Sequence, residues 1–241
     1  YWVSYPDMVR LADAQPVIVE SSAARGFKIG PEQLKAAMTP RTRLVILNSP
    51  CNPTGAVYTH ADWVALGDVL RRYPDVVILS DEIYEHIYWA GSPFASFAAS
   101  CPDLYERTIT VNGMSKGYAM SGWRLGYAVF PPKLYEYARK LAVNLHSCVN
   151  ASAQYAGLAA LTGPQDEVHR MVAEFDKRRK VVVEGLNKLP GVSCAVPKGA
   201  FYAFPNVKRT GWKAKELATA LLNDTGVVTI GGPDFGILGE G

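Results

Sequence analysis

Short apolar runs rich in β-branched residues recur along the first half of the chain, with stretches of helix length between them. Five of these runs are predicted to be strands, at residues 17–20, Leu44–Asn48, 76–80, 108–112 and 125–129. Most are apolar throughout rather than alternating, which is typical of strands that are covered on both faces. The pattern therefore predicts an α/β fold.

Amphipathic stretches with clear end signals supply the predicted helices. Thr59 is a predicted N-cap with Asp62 at the third helical position, and the apolar periodicity that follows stops before Pro74. This helix joins the second and third predicted strands into a strand-helix-strand unit. Three further helices are predicted at residues 132–149, 151–161 and 165–189.

The pattern changes after Pro190 and Gly191. Strands are predicted at residues 192–196, 200–204 and 227–230, with a helix at 213–224. This order favours a second, smaller α+β domain whose boundary lies within the preceding long helix. We expect a large domain at residues 1–175 and a small domain at residues 176–241.

Composition and charge exclude several classes of function. The chain has 241 residues, is 49% hydrophobic and carries a net charge of +3 with its basic residues scattered, so nucleic acid is not an expected partner. No apolar run approaches the ~18 residues of a membrane span, so no membrane association is expected. The cysteines and histidines lack the spacing of metal ligands. We therefore expect no metal site, and reduced thiols in a cytoplasmic protein.

Both ends of the sequence predict that it is a fragment. It begins without Met at Tyr1, inside an aromatic segment, and it ends at Gly241.

Polar residues cluster where the predicted strands end, which is the edge of an open α/β sheet where ligands bind. Residues 48–55 follow one strand, and the prolines and glycine there predict a rigid turn that fixes the Asn52 amide. Asp81 follows the next strand, where a buried acid needs a cationic or hydrogen-bonding partner. Tyr84 lies three residues later and shares its face if the chain turns helically.

A third polar cluster contains Ser115, Lys116 and Arg124 among small residues. An amine and a guanidinium in this arrangement suit a carbonyl and a phosphate, respectively. Residues 113–117 also match the Gly-x-Ser-x-Gly pattern of a serine hydrolase, with Ser115 as the nucleophile. That alternative needs a separate downstream acid and histidine, and Asp166 is too close to His169 to be a convincing pair.

Several motifs together resemble one known family, the pyridoxal-phosphate-dependent aminotransferases of fold type I, class I/II. They are Asn52-Pro53-Thr54-Gly55, Ser80-Asp81-Glu82-Ile83-Tyr84, Ser115-Lys116 and Gly122-Trp123-Arg124-Leu125-Gly126. The opening Tyr1-Trp2-Val3-Ser4-Tyr5-Pro6 and the later Gly199-Ala200-Phe201-Tyr202 are similar to the bacterial aspartate aminotransferase branch. The resemblance implies a three-layer α/β/α cofactor domain with a mostly parallel sheet, plus part of a smaller α+β C-terminal domain.

The resemblance also implies roles for individual residues. Lys116 would bind the cofactor covalently, and Asp81 would pair with its pyridine nitrogen. Asn52 and Tyr84 would hydrogen-bond its phenolic oxygen, and Asn52 would also contact the substrate. Lys116, Asp81 and Tyr84 are the expected catalytic residues, since a carboxylate that keeps the ring nitrogen protonated makes the ring an electron sink.

Three further residues are expected to bind the cofactor: Arg124 its phosphate, Trp2 the face of its ring, and Ser115 the phosphate as well. Ser115 would replace a hydroxyl that some family members carry three residues before the lysine, where this chain has Gly113. The glycine-rich phosphate turn and the arginine that binds the substrate carboxylate are expected outside this chain.

The expected activity is amino-group transfer between an amino acid of the aspartate or aromatic type and 2-oxoglutarate, in a homodimer. One alternative is the aminotransferase-like effector domain of a transcription regulator, which binds the cofactor without turnover. Lyases that use the same cofactor are similar in sequence, because the cofactor performs the bond-breaking chemistry.

Overall fold

The computed structural model describes residues 1–241, and a four-stranded sheet lies at its centre. The strands are β1 (Leu44–Asn48), β2 (Val77–Asp81), β3 (Thr108–Gly113) and β4 (Gly126–Val129). They lie in the order β1-β2-β3-β4. The pairs β1–β2 and β2–β3 are parallel, and β4 is antiparallel to β3. The predicted mostly parallel α/β sheet is therefore confirmed.

Nine α-helices accompany the sheet. They are α1 (Tyr5–Leu11), α2 (Pro31–Ala37), α3 (His60–Leu70), α4 (Phe97–Ser100), α5 (Met114–Gly117), α6 (Pro132–His146), α7 (Ala151–Thr162), α8 (Asp166–Lys188) and α9 (Ala214–Thr225). The long predicted helices are confirmed with ends that differ by up to three residues. No helix is both long and apolar enough to cross a membrane.

Helix α3 begins as its sequence predicts. The backbone N–H of Asp62 donates to Oγ1 of Thr59 at 3.2 Å, and the backbone N–H of Thr59 donates to Oδ2 of Asp62 at 2.8 Å. Each side chain thus satisfies a backbone donor of the first turn. The helix then buries Trp63, Leu66 and Leu70 completely or nearly so.

The main core lies between α3 and the sheet. It contains 13 buried residues, namely Leu34, Met38, Leu47, Tyr58, Trp63, Leu66, Val69, Leu70, Val76, Ile78, Phe97, Cys101 and Leu104. Trp63 stacks on Tyr58 with ring centroids 4.4 Å apart. This core includes Leu47 of β1 and Ile78 of β2. It therefore holds both strands in place, and with them the loops that begin at their ends.

Four predicted strands do not form. Residues 17–20, 192–196, 200–204 and 227–230 have no strand assignment, and Ser193 and Asn206 form only an isolated bridge. A branched apolar run becomes a strand only when a neighbouring backbone satisfies its N–H and C=O groups. In the region of the predicted boundary near residue 175, α8 continues without interruption to Lys188.

Candidate active site

The parallel strands β1, β2 and β3 deliver three polar loops to one edge of the sheet. Asn48 and Asp81, the last residues of β1 and β2, are directly paired. The Asn48 side-chain amide and the backbone N–H of Ser49 both donate to the Asp81 carbonyl, each at 3.1 Å. The loops that begin at these strand ends are therefore held side by side.

The loop after β1 is fixed at both ends. The backbone N–H of Asn52 donates to Oδ1 of Asn48 at 3.0 Å. The Gly55 carbonyl accepts hydrogen bonds from the backbone N–H groups of Lys198 and Gly199 at 2.9 and 3.0 Å. Gly55 has a φ of +64°, and a Cβ there would lie 2.3 Å from Cβ of Pro197. Only glycine allows the C-terminal segment to pack this closely on the Asn52 loop.

Asp81 is a partly buried carboxylate with two donors. The Tyr5 hydroxyl donates to Oδ2 at 2.5 Å, and the backbone N–H of Ile83 donates to Oδ1 at 3.2 Å. Burial raises the pKa of Asp81 above its ordinary value, while these hydrogen bonds act in the opposite direction. The edge of the Trp2 ring meets Tyr5 with centroids 5.8 Å apart. Tyr5 thus contacts both Trp2 and Asp81 and links the two residues.

Tyr84 meets Asn52 through a third residue, Tyr202. The hydroxyls of Tyr84 and Tyr202 form a short hydrogen bond, and Nδ2 of Asn52 donates to the Tyr202 hydroxyl at 3.2 Å. The pKa of Tyr84 lies well above its ordinary range because the side chain is buried and hydrogen-bonded to Tyr202. The predicted pair of donors is therefore brought together.

Lys116 lies in α5, directly after β3. Its Nζ lies 5.8 Å from the centre of the Phe201 ring, and that ring meets Tyr84 edge to face at 5.4 Å. A Cβ at Gly117 would lie 2.6 Å from Cδ2 of His86, so glycine lets α5 approach the segment after β2. Lys116 and Tyr84 thus both lie against the Phe201 ring.

Arg124 and Ser115 belong to the same loop, but neither side chain contacts Asp81 or Tyr84. Arg124 is exposed, has a φ of +53°, and donates from Nη1 to the Ser121 carbonyl at 3.0 Å. The loop is closed by a hydrogen bond of 3.1 Å from the Met114 N–H to the Leu125 carbonyl. That bond joins the Lys116 turn to the Arg124 turn.

The geometry around Ser115 does not favour a serine hydrolase. A nucleophile elbow holds its serine on a strained turn next to a histidine. Ser115 instead lies within the short helix α5 without a positive φ, and its hydroxyl makes no hydrogen bond to a histidine or to any other side chain. Ser115 therefore lacks both the strained turn and the neighbouring histidine base that a serine hydrolase requires.

Sequence reasoning missed the functional contacts of three residues: Tyr5, Glu82 and Tyr202. Tyr5 and Tyr202 lie in segments that carried the family resemblance, but local sequence does not reveal a partner 76 or 118 residues away. Glu82 is 3% exposed and accepts hydrogen bonds at Oε1 from Ser80 Oγ at 2.8 Å and from the Phe97 N–H at 3.0 Å. The sequence did carry one signal for a second buried carboxylate, because Glu82 directly follows Asp81 at the end of an apolar strand.

Comparison with known proteins gives a consistent result. The family model "Aminotransferase class I and II" matches residues 1–241. The aspartate/prephenate aminotransferase of Cereibacter sphaeroides is 46% identical over 98% of this chain and 62% of its own length. The aspartate aminotransferase of Geobacillus stearothermophilus is 43% identical over 98% of this chain and 61% of its own length.

Solved structures agree. The aspartate aminotransferase of Rhizobium meliloti has a TM-score of 0.94 at 42% identity, covering 98% of this chain and 62% of its own. The aromatic aminotransferase of Pyrococcus horikoshii has a TM-score of 0.94 at 39% identity, covering 100% of this chain and 64% of its own. The chain spans about 62% of the length of the Cereibacter relative and a similar share of the others.

Proposed function

The chain belongs to the class I and II aminotransferase family, and on that premise we propose that the whole protein is an aminotransferase. It transfers an amino group between an amino acid of the aspartate or aromatic type and 2-oxoglutarate. The observation that carries this proposal is the meeting of the Asp81, Tyr84 and Lys116 loops at the carboxyl edge of a parallel sheet, with Asn52 hydrogen-bonded into the same cluster.

The family depends on pyridoxal 5′-phosphate, and the groups present fit that cofactor. A partly buried carboxylate, Asp81, suits a protonated ring nitrogen. The amide of Asn52 and the hydroxyl of Tyr84 suit a phenolic oxygen, and the exposed guanidinium of Arg124 suits a phosphate. The amine of Lys116 suits an aldehyde carbon.

When bound, the cofactor supplies an electron sink for the negative charge that develops at the substrate α-carbon. Asp81 keeps a proton on the ring nitrogen by offering its carboxylate as an acceptor. Tyr5 favours the charged form of that carboxylate, against the effect of burial, by donating to Oδ2. The Nζ amine of Lys116 would hold the cofactor and, as a free amine, would act as the base that moves the proton at the substrate α-carbon.

The remaining site residues have binding roles. Trp2 would pack against the cofactor ring, and its T-shaped contact with Tyr5 keeps it beside the Tyr5–Asp81 pair. Arg124 binds the phosphate with support from the Ser115 hydroxyl. Asn52, in addition to its hydrogen bond to the cofactor, contacts the substrate.

The proposal includes a division of the chain and a partner. The large cofactor domain is residues 1–175 and the small domain residues 176–241. The whole protein is a homodimer, which is supported by apolar side chains exposed on α6 and α7, such as Leu145 at 73% and Tyr155 at 76%. A cytoplasmic location is supported by four free cysteines.

Amino-transfer assays on the full-length protein test the proposal. Aspartate, phenylalanine and tyrosine are each incubated with 2-oxoglutarate and pyridoxal phosphate, and glutamate formation is followed alongside sedimentation. We expect glutamate formation from at least one donor and a dimeric species. No glutamate from any donor, in a protein that binds the cofactor, would overturn the assignment and revive the non-catalytic effector alternative.

A further inference from the structure

Tyr202 belongs to the C-terminal part of the chain, yet its hydroxyl lies among side chains of the candidate site. Nδ2 of Asn52 donates to it at 3.2 Å across 150 residues, and the Tyr84 hydroxyl hydrogen-bonds to it across 118 residues. No role for Tyr202 follows from the sequence motifs. Its position depends entirely on the fold.

The hydrogen-bonding capacity of this cluster is not exhausted. The phenols of Tyr84 and Tyr202 share one hydrogen bond, so one of their two O–H protons remains available whichever phenol donates. Asn52 likewise uses one amide N–H toward Tyr202 and keeps the other. Apart from each other and Asn52, the two phenols have no side-chain hydrogen-bond partner within the chain. The cluster therefore keeps one O–H for a further acceptor, with the Asn52 amide directly beside it.

The Tyr202 hydroxyl is itself held firmly. The Tyr202 ring packs against the rings of Phe201 at 5.0 Å and Tyr84 at 5.6 Å. Its backbone segment is anchored by hydrogen bonds from Ala200 N to the Ile87 carbonyl at 2.8 Å and from Gly199 N to the Gly55 carbonyl. The Tyr202 hydroxyl thus has a well-defined position, and Asn52 and Tyr84 both hydrogen-bond to it.

From this geometry we propose that Tyr202 is a positioning residue for cofactor binding. Resting on the proposed function, the inference is that its hydroxyl orients the Asn52 amide and the Tyr84 phenol so that both donate to the phenolic oxygen of pyridoxal phosphate. Two converging donors stabilise negative charge on that oxygen. Donors that are already oriented lose less conformational freedom when they bind. The contact also couples the C-terminal segment to the cofactor site.

Tyr202→Phe tests this role because it removes one oxygen and keeps the ring contacts. Tyr88→Phe is the matched control, since the Tyr88 hydroxyl contacts only Ser92, at 3.3 Å on the exposed surface. In the full-length protein we expect Tyr202→Phe to raise the dissociation constant for pyridoxal phosphate about threefold to tenfold. We expect Tyr88→Phe to leave it unchanged, and both variants to unfold at the wild-type temperature.

A spectroscopic readout separates positioning from general structural support. The absorption of the bound cofactor changes with pH, and donors to its phenolic oxygen favour the charged form of that oxygen and lower the midpoint. Tyr202→Phe should therefore move the midpoint upward. In a Tyr84→Phe background, the same substitution should weaken binding by a smaller factor, because part of the effect of Tyr202 passes through Tyr84.

The outcomes are distinguishable. Unchanged affinity and an unchanged pH midpoint in Tyr202→Phe would overturn the positioning role while leaving the proposed function intact. An equal loss of affinity in the wild-type and Tyr84→Phe backgrounds would also overturn it. A wild-type protein that binds no pyridoxal phosphate would overturn the proposed function, and the role of Tyr202 with it.

Discussion

Tyr5 donates a hydrogen bond of 2.5 Å to Oδ2 of Asp81, although 76 residues separate them in the chain. The carboxylate lies at the end of β2, where burial raises its pKa, and the phenol opposes that shift. A residue from the opening segment of the sequence therefore opposes the effect of burial on the Asp81 carboxylate.

Tyr5→Phe should alter the pH dependence of activity. Loss of the donor destabilises the carboxylate and raises the pKa of Asp81 further, so activity that needs the charged form is lost at a higher pH on acidification. A hydrogen bond to a charged group is worth about 1.5–3 kcal/mol, and we expect the acid limb of kcat/KM to move up by about one to two pH units. Tyr105→Phe, at an exposed tyrosine, is the control. An unmoved acid limb in Tyr5→Phe would show that the hydrogen bond does not tune Asp81.

Asp81→Asn should bind pyridoxal phosphate but lose most amino-transfer activity, since a neutral amide does not hold the ring nitrogen protonated. Steady-state kinetics and cofactor absorbance on the same preparation measure the two properties separately. A loss of activity below about tenfold, equivalent to ~1.4 kcal/mol of barrier, would mean that Asp81 is not the electronic partner of the ring.

We expect Glu82 to make the free energy of unfolding depend on pH. Its pKa is raised by burial despite hydrogen bonds from Ser80, Ser96 and the Phe97 N–H. The folded state thus holds the proton more tightly than the unfolded chain, and stability falls as pH rises from about 4.5 through the raised pKa. Glu82→Gln removes the charge and keeps an acceptor, so it should flatten that fall.

Urea unfolding between pH 4 and 8 measures this effect. Glu82→Ala should instead cost about 1–3 kcal/mol at the acidic end, because it leaves buried donors without an acceptor. This cost should shrink as pH rises, because only the wild type loses stability when Glu82 ionises. Glu106→Gln, at an exposed glutamate, is the matched control. An identical pH profile in wild type and Glu82→Gln would contradict the linkage.

Gly55→Ala should destabilise the protein and weaken cofactor binding together. Alanine in the left-handed region costs roughly 1–2 kcal/mol, and the new Cβ would also lie 2.3 Å from Cβ of Pro197 and 2.8 Å from the Gly199 carbonyl oxygen. Gly91→Ala isolates the backbone term, since Gly91 has a φ of +76° and no atom within 4 Å of its Cβ position. In chemical denaturation Gly55→Ala should lose at least about 1 kcal/mol more than Gly91→Ala. Equal losses of stability in the two variants would mean that the C-terminal segment moves aside to accommodate the new Cβ at almost no cost, which would contradict the close packing.

The sequence predicted the parts of the fold whose signals are local. The first turn of α3 depends on Thr59 and Asp62, three residues apart, and β1 to β3 are partly buried runs rich in branched apolar residues that find parallel neighbours. Residues 17–20 have a similar composition but no adjacent strand, so the same signal failed there. Propensity reports a preference, whereas a strand also requires a partner.

Prediction of the site residues succeeded and failed for the same reason: only residues with a local sequence signal could be identified. Asn52, Asp81 and Lys116 were predicted because each lies at or just after the end of a strand of the sheet, and the ends of parallel strands converge. Tyr5 and Tyr202 reach the same edge from a helix and from an irregular segment distant in the sequence. No periodicity or turn signal encodes such contacts, so the structure was needed to identify them.

Covalent labelling of Lys116 tests the central claim most directly. The full-length protein is incubated with pyridoxal phosphate, reduced with borohydride, digested and mapped by mass spectrometry, with Lys116→Ala as the control. We predict a yellow protein before reduction, a single labelled peptide that contains Lys116, and no label in the variant. Recovery of the label on Lys133 or Lys140, with Lys116 unmodified, would contradict the account.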